Sequence, residues 1–115
     1  MENNVKVSML NQIYGKLLTT KQYEIIDDYY NNDLSLSEIA ENNNITRQAV
    51  RDILKKGEKK LFEYEEKLMF MKRMLNQEKR IEKVLAELTK IQENDTDKEI
   101  ANVLENIKKE LNCLV

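Results

Sequence analysis

The chain has 115 residues, enough for one modest core with or without an elongated appendage and too few for two large domains. With 41% apolar and 35% charged residues, no proline, no tryptophan and Gly15 and Gly57 as its glycines, it favours helices and gives strands little support. A net charge of -2 and a pI of about 5.3 exclude a chain that is basic throughout, and Cys113, standing alone, excludes an intramolecular disulfide.

Leu10, Ile13, Tyr14, Leu17 and Leu18 recur at helical spacing, so residues 5–18 read as a first amphipathic helix, followed by capping oxygens at Thr19 and Thr20. From Lys21 the positions Tyr23, Ile26, Tyr29 and Tyr30 give a second helix ending in the polar cluster Asn31, Asn32 and Asp33. Ser35 and Glu38 stand three apart ahead of Ile39, the spacing of a capping box, and open a third helix that Asn42, Asn43 and Asn44 cut short. Thr46 is the N-cap of a fourth helix that begins at Arg47.

Beyond it Leu61, Tyr64, Leu68, Met71 and Leu75 step by three and four, and Ile81, Val84, Leu88 and Ile91 do so again after a six-residue step. The missing residue rotates the apolar stripe by about 100°, which predicts a bend at residues 76–80 or a change of packing partner. Asn94 and Asp95 mark a turn, Thr96 with Glu99 forms a second capping box, and Ile100, Leu104, Ile107, Leu111 and Leu114 continue the period, so the tail reads as a helical hairpin.

Residues 34–61, LSLSEIAENNNITRQAVRDILKKGEKKL, have the plan of a helix-turn-helix. Ala40 is the small residue where two helices cross, and Asn44 is the turn residue that tolerates a positive φ. Ile39, Ile45, Val50, Ile53 and Leu54 anchor the second helix, leaving Arg47, Gln48, Arg51, Asp52 and Lys55 on the opposite face. Arg47, Arg51, Lys55, Lys56, Lys59 and Lys60 against Asp52 and Glu58 give residues 46–60 a net +4 inside an acidic chain. The bland alternative is the solvated face of an ordinary amphipathic helix.

Residues 17–68 resemble the YlxM-like family of small bacterial helix-turn-helix proteins, on the LLTxKQ start, the DLSLxEIA scaffold helix, the RQAV start of the second helix and the YExKL continuation at Tyr64, Glu65, Lys67 and Leu68. That family is similar to region four of sigma factors, and the resemblance puts Arg47, Gln48, Arg51 and Asp52 on the contacting positions of its promoter-reading helix. Gln48 stands where the sigma pattern has Glu, and Asp52 turns a carboxylate toward a phosphate-lined groove, so a minus-35-type specificity does not carry over. The resemblance also implies a role in the signal recognition particle pathway, because family members are typically encoded beside its GTPase and receptor.

Other chemistry finds little support. One cysteine and no histidine leave no zinc site, and the calcium-like spacing of residues 27–38 puts Asn32 where a calcium loop needs glycine. Ser35, Ser37 and Cys113 have no histidine to activate them, and the acid pairs Asp27–Asp28 and Glu65–Glu66 read as solvated surface. No enzyme, cofactor or metal is therefore expected. The spacing of Tyr23, Tyr29, Tyr30 and Phe62 favours core packing over base stacking, whereas Met69, Phe70, Met71 and Met74 are dense enough for a protein contact.

The expectation is an all-α protein with a sigma region four-like helix-turn-helix domain over residues 1–60, and a long helix with a C-terminal helical hairpin over 61–115 that oligomerises or binds a partner. The start lacks a basic segment followed by a long apolar core, and no run approaches the roughly 18 apolar residues of a membrane span, which predicts a cytoplasmic protein. The nucleic-acid-binding residues expected are Arg47, Gln48, Arg51, Asp52, Lys55, Lys56 and Lys59. Two functions follow: a regulator that binds DNA, or an adaptor that contacts the signal recognition particle RNA or GTPase. Exposed heptads add the expectation of a homodimer.

Overall fold

A computed structural model describes residues 2–94 and 97–114, and among these every regular element is helical. The first helix, α1 (Asn3–Tyr14), buries Val7, Leu10, Asn11 and Tyr14. It stops short of the expected residue 18, because Gly15–Leu17 tighten into a 3-10 turn closed by the Leu18 N–H on the Gly15 carbonyl at 3.1 Å. The reason lies in the next helix. A Cβ on Gly15 would sit 2.4 Å from the Tyr23 ring, so only glycine lets the two helices meet there. The tighter winding also shifts the phase, burying Leu18 and leaving Leu17 exposed.

In α2 (Thr20–Tyr30) Thr19 is the cap and forms a full capping box with Gln22. Its buried residues are Ile25 and Ile26, whereas Tyr23 and Tyr29, expected in the core, are 40% and 38% exposed. The buried strip is narrow, and Ile25 takes the place given by periodicity to the tyrosines. Tyr30 and Phe62 are half-buried. The helix ends on its own acids: the side-chain amides of Asn31 and Asn32 donate to the Asp27 and Asp28 carboxylates at 2.6 and 3.1 Å, and Asp33 takes a positive φ of 54°. Asp27 and Asp28 thus serve the turn as acceptors.

Two further helices, α3 (Leu36–Asn43) and α4 (Arg47–Leu68), complete the first bundle, with α4 packing against α1, α2 and α3. Val7, Leu10, Tyr14, Ile25, Ile26, Ile39, Val50 and Leu61 are fully buried, each apolar side chain contributing about 1.5–3 kcal/mol relative to exposure. Gly57 does not interrupt α4. It is buried where α2 crosses, and a Cβ there would approach Ile26 Cδ1 to 2.6 Å.

The helix break falls at Met69, and residues 76–80, where a bend or a change of packing partner was expected, show no bend and lie inside the unbroken helix α5 (Phe70–Asn94). Met69 holds φ at 56° with its N–H on the Glu65 carbonyl at 2.9 Å. Two part-buried hydrogen bonds then satisfy the first two free N–H groups of α5. The Phe70 N–H donates to the Tyr14 hydroxyl at 3.2 Å and the Met71 N–H to the Glu65 carboxylate at 3.0 Å, while the Tyr14 hydroxyl itself donates to Glu65 at 2.7 Å. Glu65, expected as solvated surface, is a half-buried cap. The first compact unit consequently runs past residue 60, to Met71, and the second begins at Lys72.

The second unit holds α5 from Lys72 onward and α6 (Lys98–Asn112). Gln92 joins them, donating to Glu105 at 3.1 Å and accepting from Lys108 at 2.8 Å. The cap of α6 is Asp97, whose carboxylate accepts the Glu99 N–H at 2.9 Å; Asp95 and Thr96, read as the turn and cap, lie outside the described residues. No helix of the described residues is long and apolar enough to cross a membrane.

Candidate nucleic-acid interface

The helix pair α3–α4 is fixed by hydrogen bonds that begin with its caps. Ser35 Oγ accepts the Glu38 N–H at 3.1 Å, and the Glu38 carboxylate accepts the Ser35 N–H at 3.3 Å. At the other end Asn44 adopts φ 54° and ψ 43°, which brings its N–H to the Glu41 carbonyl at 3.3 Å and the Ile45 N–H to the Ala40 carbonyl at 3.0 Å. This is a Schellman turn with asparagine in the left-handed position usually given to glycine. Asn43 reinforces it, donating to the Ile39 carbonyl at 2.7 Å and accepting from Lys21 Nζ at 2.6 Å. Thr46 Oγ then accepts the Ala49 N–H at 3.0 Å and starts α4.

The anchors of α4 divide as the motif requires. Ile39, Ala40, Val50 and Leu54 are buried, and Ile45 and Ile53 are half-buried. Arg47, Gln48, Arg51, Asp52, Lys55, Lys56 and Lys59 are all exposed, so the fold brings the seven expected residues onto solvent-facing positions of one helix. Arg47, Arg51, Lys55 and Lys59 follow one another at four-residue intervals, a line of cations that winds slowly around α4.

Two carboxylates in this stretch have different fates. Glu58 is turned inward and accepts the Tyr30 hydroxyl, so it does not oppose the cations of the exposed face. Burial and, after it, the hydrogen bond to Glu58 push the Tyr30 phenol well above its ordinary pKa of 10.0. Asp52 remains outside, where it accepts from Gln48 Nε2 at 3.1 Å. That bond takes one N–H of the first-turn amide expected to reach a base edge and leaves its second N–H and its carbonyl oxygen to do so. Arg47 Nη1 lies 3.5 Å from Ser37 Oγ, at the long limit of a hydrogen bond, which leaves its guanidinium available.

Sequence reasoning missed Tyr30–Glu58 and Tyr14–Glu65, because a pairing between residues 28 or 51 positions apart leaves no local signal. It also missed Asn11, buried at 1% exposure in the apolar face of α1, where its side-chain amide donates to the Tyr23 carbonyl at 3.3 Å. Among the described residues no cluster of acids, cysteine or histidine is arranged to hold a metal ion.

Known proteins bear out the helix-turn-helix reading, and the family match extends beyond residues 17–68 to nearly the whole chain. Residues 1–110 match the model of a family described as helix-turn-helix, YlxM / p13 like. A UPF0122 protein of Clostridium perfringens is 44% identical over 95% of this chain and 89% of its own length. One from Fusobacterium nucleatum is 40% identical over 93% and 97%, and one from Acetivibrio thermocellus 37% over 100% and 98%. With the α3–turn–α4 geometry in place and relatives matched end to end, the chain belongs to the YlxM / p13-like family of helix-turn-helix proteins.

Proposed function

We propose that this protein is a cytoplasmic regulator that binds duplex DNA through α4. In this reading Arg47, Gln48 and Arg51 address base edges in the major groove from the first turns of the helix, while Lys55, Lys56 and Lys59 hold phosphates along its length. Asp52 acts as a selectivity element: it positions Gln48 and repels phosphate from the middle of the face. The observation that carries the reading is the Asn44 Schellman turn, which sets α3 against α4 and leaves all seven polar residues in solvent. A homodimer, with the second unit as its interface, would present two such helices to two half-sites.

A second reading is supported by the net charge of -2 and by the Gln48–Asp52 hydrogen bond, which both oppose tight duplex binding. Here the same face serves an adaptor of the signal recognition particle pathway and docks on the particle RNA or its GTPase. Fluorescence anisotropy against random duplex DNA, the particle RNA and the GTPase across a salt series separates the two. Duplex binding that falls steeply with salt, and drops about tenfold or more in Arg47→Ala/Arg51→Ala, supports the regulator. Retention of the RNA or the GTPase alone selects the adaptor.

A further inference from the structure

The chain has four arginines against fifteen lysines, and they fall on two helices only: Arg47 and Arg51 on α4, Arg73 and Arg80 on α5. The α5 pair belongs to the second unit. Arg73, Asn76, Gln77 and Arg80 follow the i, i+3, i+4, i+7 spacing of one helix face, all four are exposed, and together they line a concave stretch of about 350 Å³. Among the described residues the side chains of these four make no hydrogen bond or ion pair.

An ordinary solvated helix laces its cations with carboxylates one turn away. That pattern is absent here. The residues three or four positions from Arg73 are Met69, Phe70, Asn76 and Gln77, and those from Arg80 are Asn76, Gln77, Lys83 and Val84, none of them acidic in a chain with 21 carboxylates. Elsewhere on the same helix the usual lacing holds, with Lys79 three residues from Glu82 and Lys83 four from Glu87. Two unneutralised guanidinium forks flanking two amides form a surface of hydrogen-bond donors whose geometric complement is a row of phosphates.

The spacing fits a nucleic-acid strand. Seven residues of helix rise about 10.5 Å, which covers about three phosphates at their roughly 3.4 Å spacing along the axis of a duplex. We propose that the Arg73–Asn76–Gln77–Arg80 face is a second anchoring site, for the sugar-phosphate backbone of duplex DNA, adding affinity and salt dependence without sequence information. It rests on the DNA-binding reading of α4, since an A-form RNA groove is too narrow for a helix to read.

The test is a salt series of equilibrium binding to several unrelated duplexes, and to an RNA hairpin, for the wild type, Arg47→Gln/Arg51→Gln, Arg73→Gln/Arg80→Gln and the charge-conserving Arg73→Lys/Arg80→Lys. Loss of both α5 arginines should lower the slope of log K against log salt by about 1.8, at about 0.9 per phosphate, and weaken every duplex by a similar factor. The lysine variant should keep the slope, and circular dichroism should show all variants equally helical. If the wild type binds duplex and the α4 variant weakens it while the α5 variant keeps both affinity and slope, the inference fails and the regulator reading stands. If Arg73 and Arg80 matter for the hairpin but for no duplex, the assignment to DNA fails. No salt-dependent duplex binding by the wild type overturns the regulator and this face together.

Discussion

Asn44 decides the crossing of α3 and α4 with a single backbone conformation. Its φ of 54° is one that most L residues adopt at a cost of about 1–2 kcal/mol, which asparagine lessens and glycine avoids. Asn44→Ala should lower unfolding free energy by about 1 kcal/mol in urea titration, and Asn44→Gly should not; equal losses would show that the side chain rather than the backbone matters. Two tyrosines act at the same scale. Burial first, then the hydrogen bonds to Glu65 and Glu58, raise the Tyr14 and Tyr30 phenols above their ordinary 10.0. The folded protein therefore keeps these protons longer than the unfolded chain does, so their stabilisation is complete below about pH 10 and is lost as pH rises through the folded values. Tyr14→Phe/Tyr30→Phe should lose less stability than the wild type between roughly pH 9 and 11, measured as the shift in urea midpoint.

At the scale of elements, the break between α4 and α5 is held by one left-handed methionine and a cluster of three hydrogen bonds among four residues. The apolar steps from Leu61 to Leu75 cross it without interruption, so the local pattern favours one continuous helix and tertiary contacts override it. Glu65 accepts from both Tyr14 and Met71, and Tyr14 accepts from Phe70, which replaces the hydrogen bonds that a continuous helix would have made. Met69→Gly should stabilise the bent form by about 1 kcal/mol because it relieves the positive φ, readable as a rise in thermal midpoint of a few degrees. A fall in midpoint would mean that the continuous helix is the resting state. The starts of α2, α3 and α4 were legible in the sequence, since Thr19, Ser35 and Thr46 are local devices. The ends were less so, because Gly15 answers to Tyr23 on the next helix and Met69 to Tyr14, which the chain brings in from 56 residues before Phe70.

At the scale of the whole molecule, the second unit leaves apolar side chains in water. Val84 and Ile91 on α5 and Ile100, Val103 and Ile107 on α6 are 40–57% exposed, whereas the buried residues of these helices within the unit are Ile81 and Leu104. Repeats of this kind are satisfied by a second copy, which is the basis of the proposed homodimer. Sedimentation equilibrium at micromolar concentration should return twice the mass of the 13.7 kDa chain, and Val103→Glu/Ile107→Glu should return a single chain with unchanged helicity. A monomeric wild type would remove the dimer while leaving the α4 face intact.

The sequence by itself determined the all-helical class, the caps of α2, α3 and α4, the α3–turn–α4 motif and the seven exposed residues of its face. Each of these depends on residues within about one or two helical turns of one another: a cap and its N3 partner, a small residue and the turn four positions later, a stripe and its opposite face. Tertiary structure alone decided which carboxylates remain on that face. Glu58 and Glu65 look like their neighbours in the chain, and only the arrival of Tyr30 and Tyr14 draws them inward. It also moved the bend from residues 76–80 to Met69, because a helix end is placed by whatever satisfies its free N–H groups, and here those partners lie 56 residues away at Tyr14 and close at hand at Glu65.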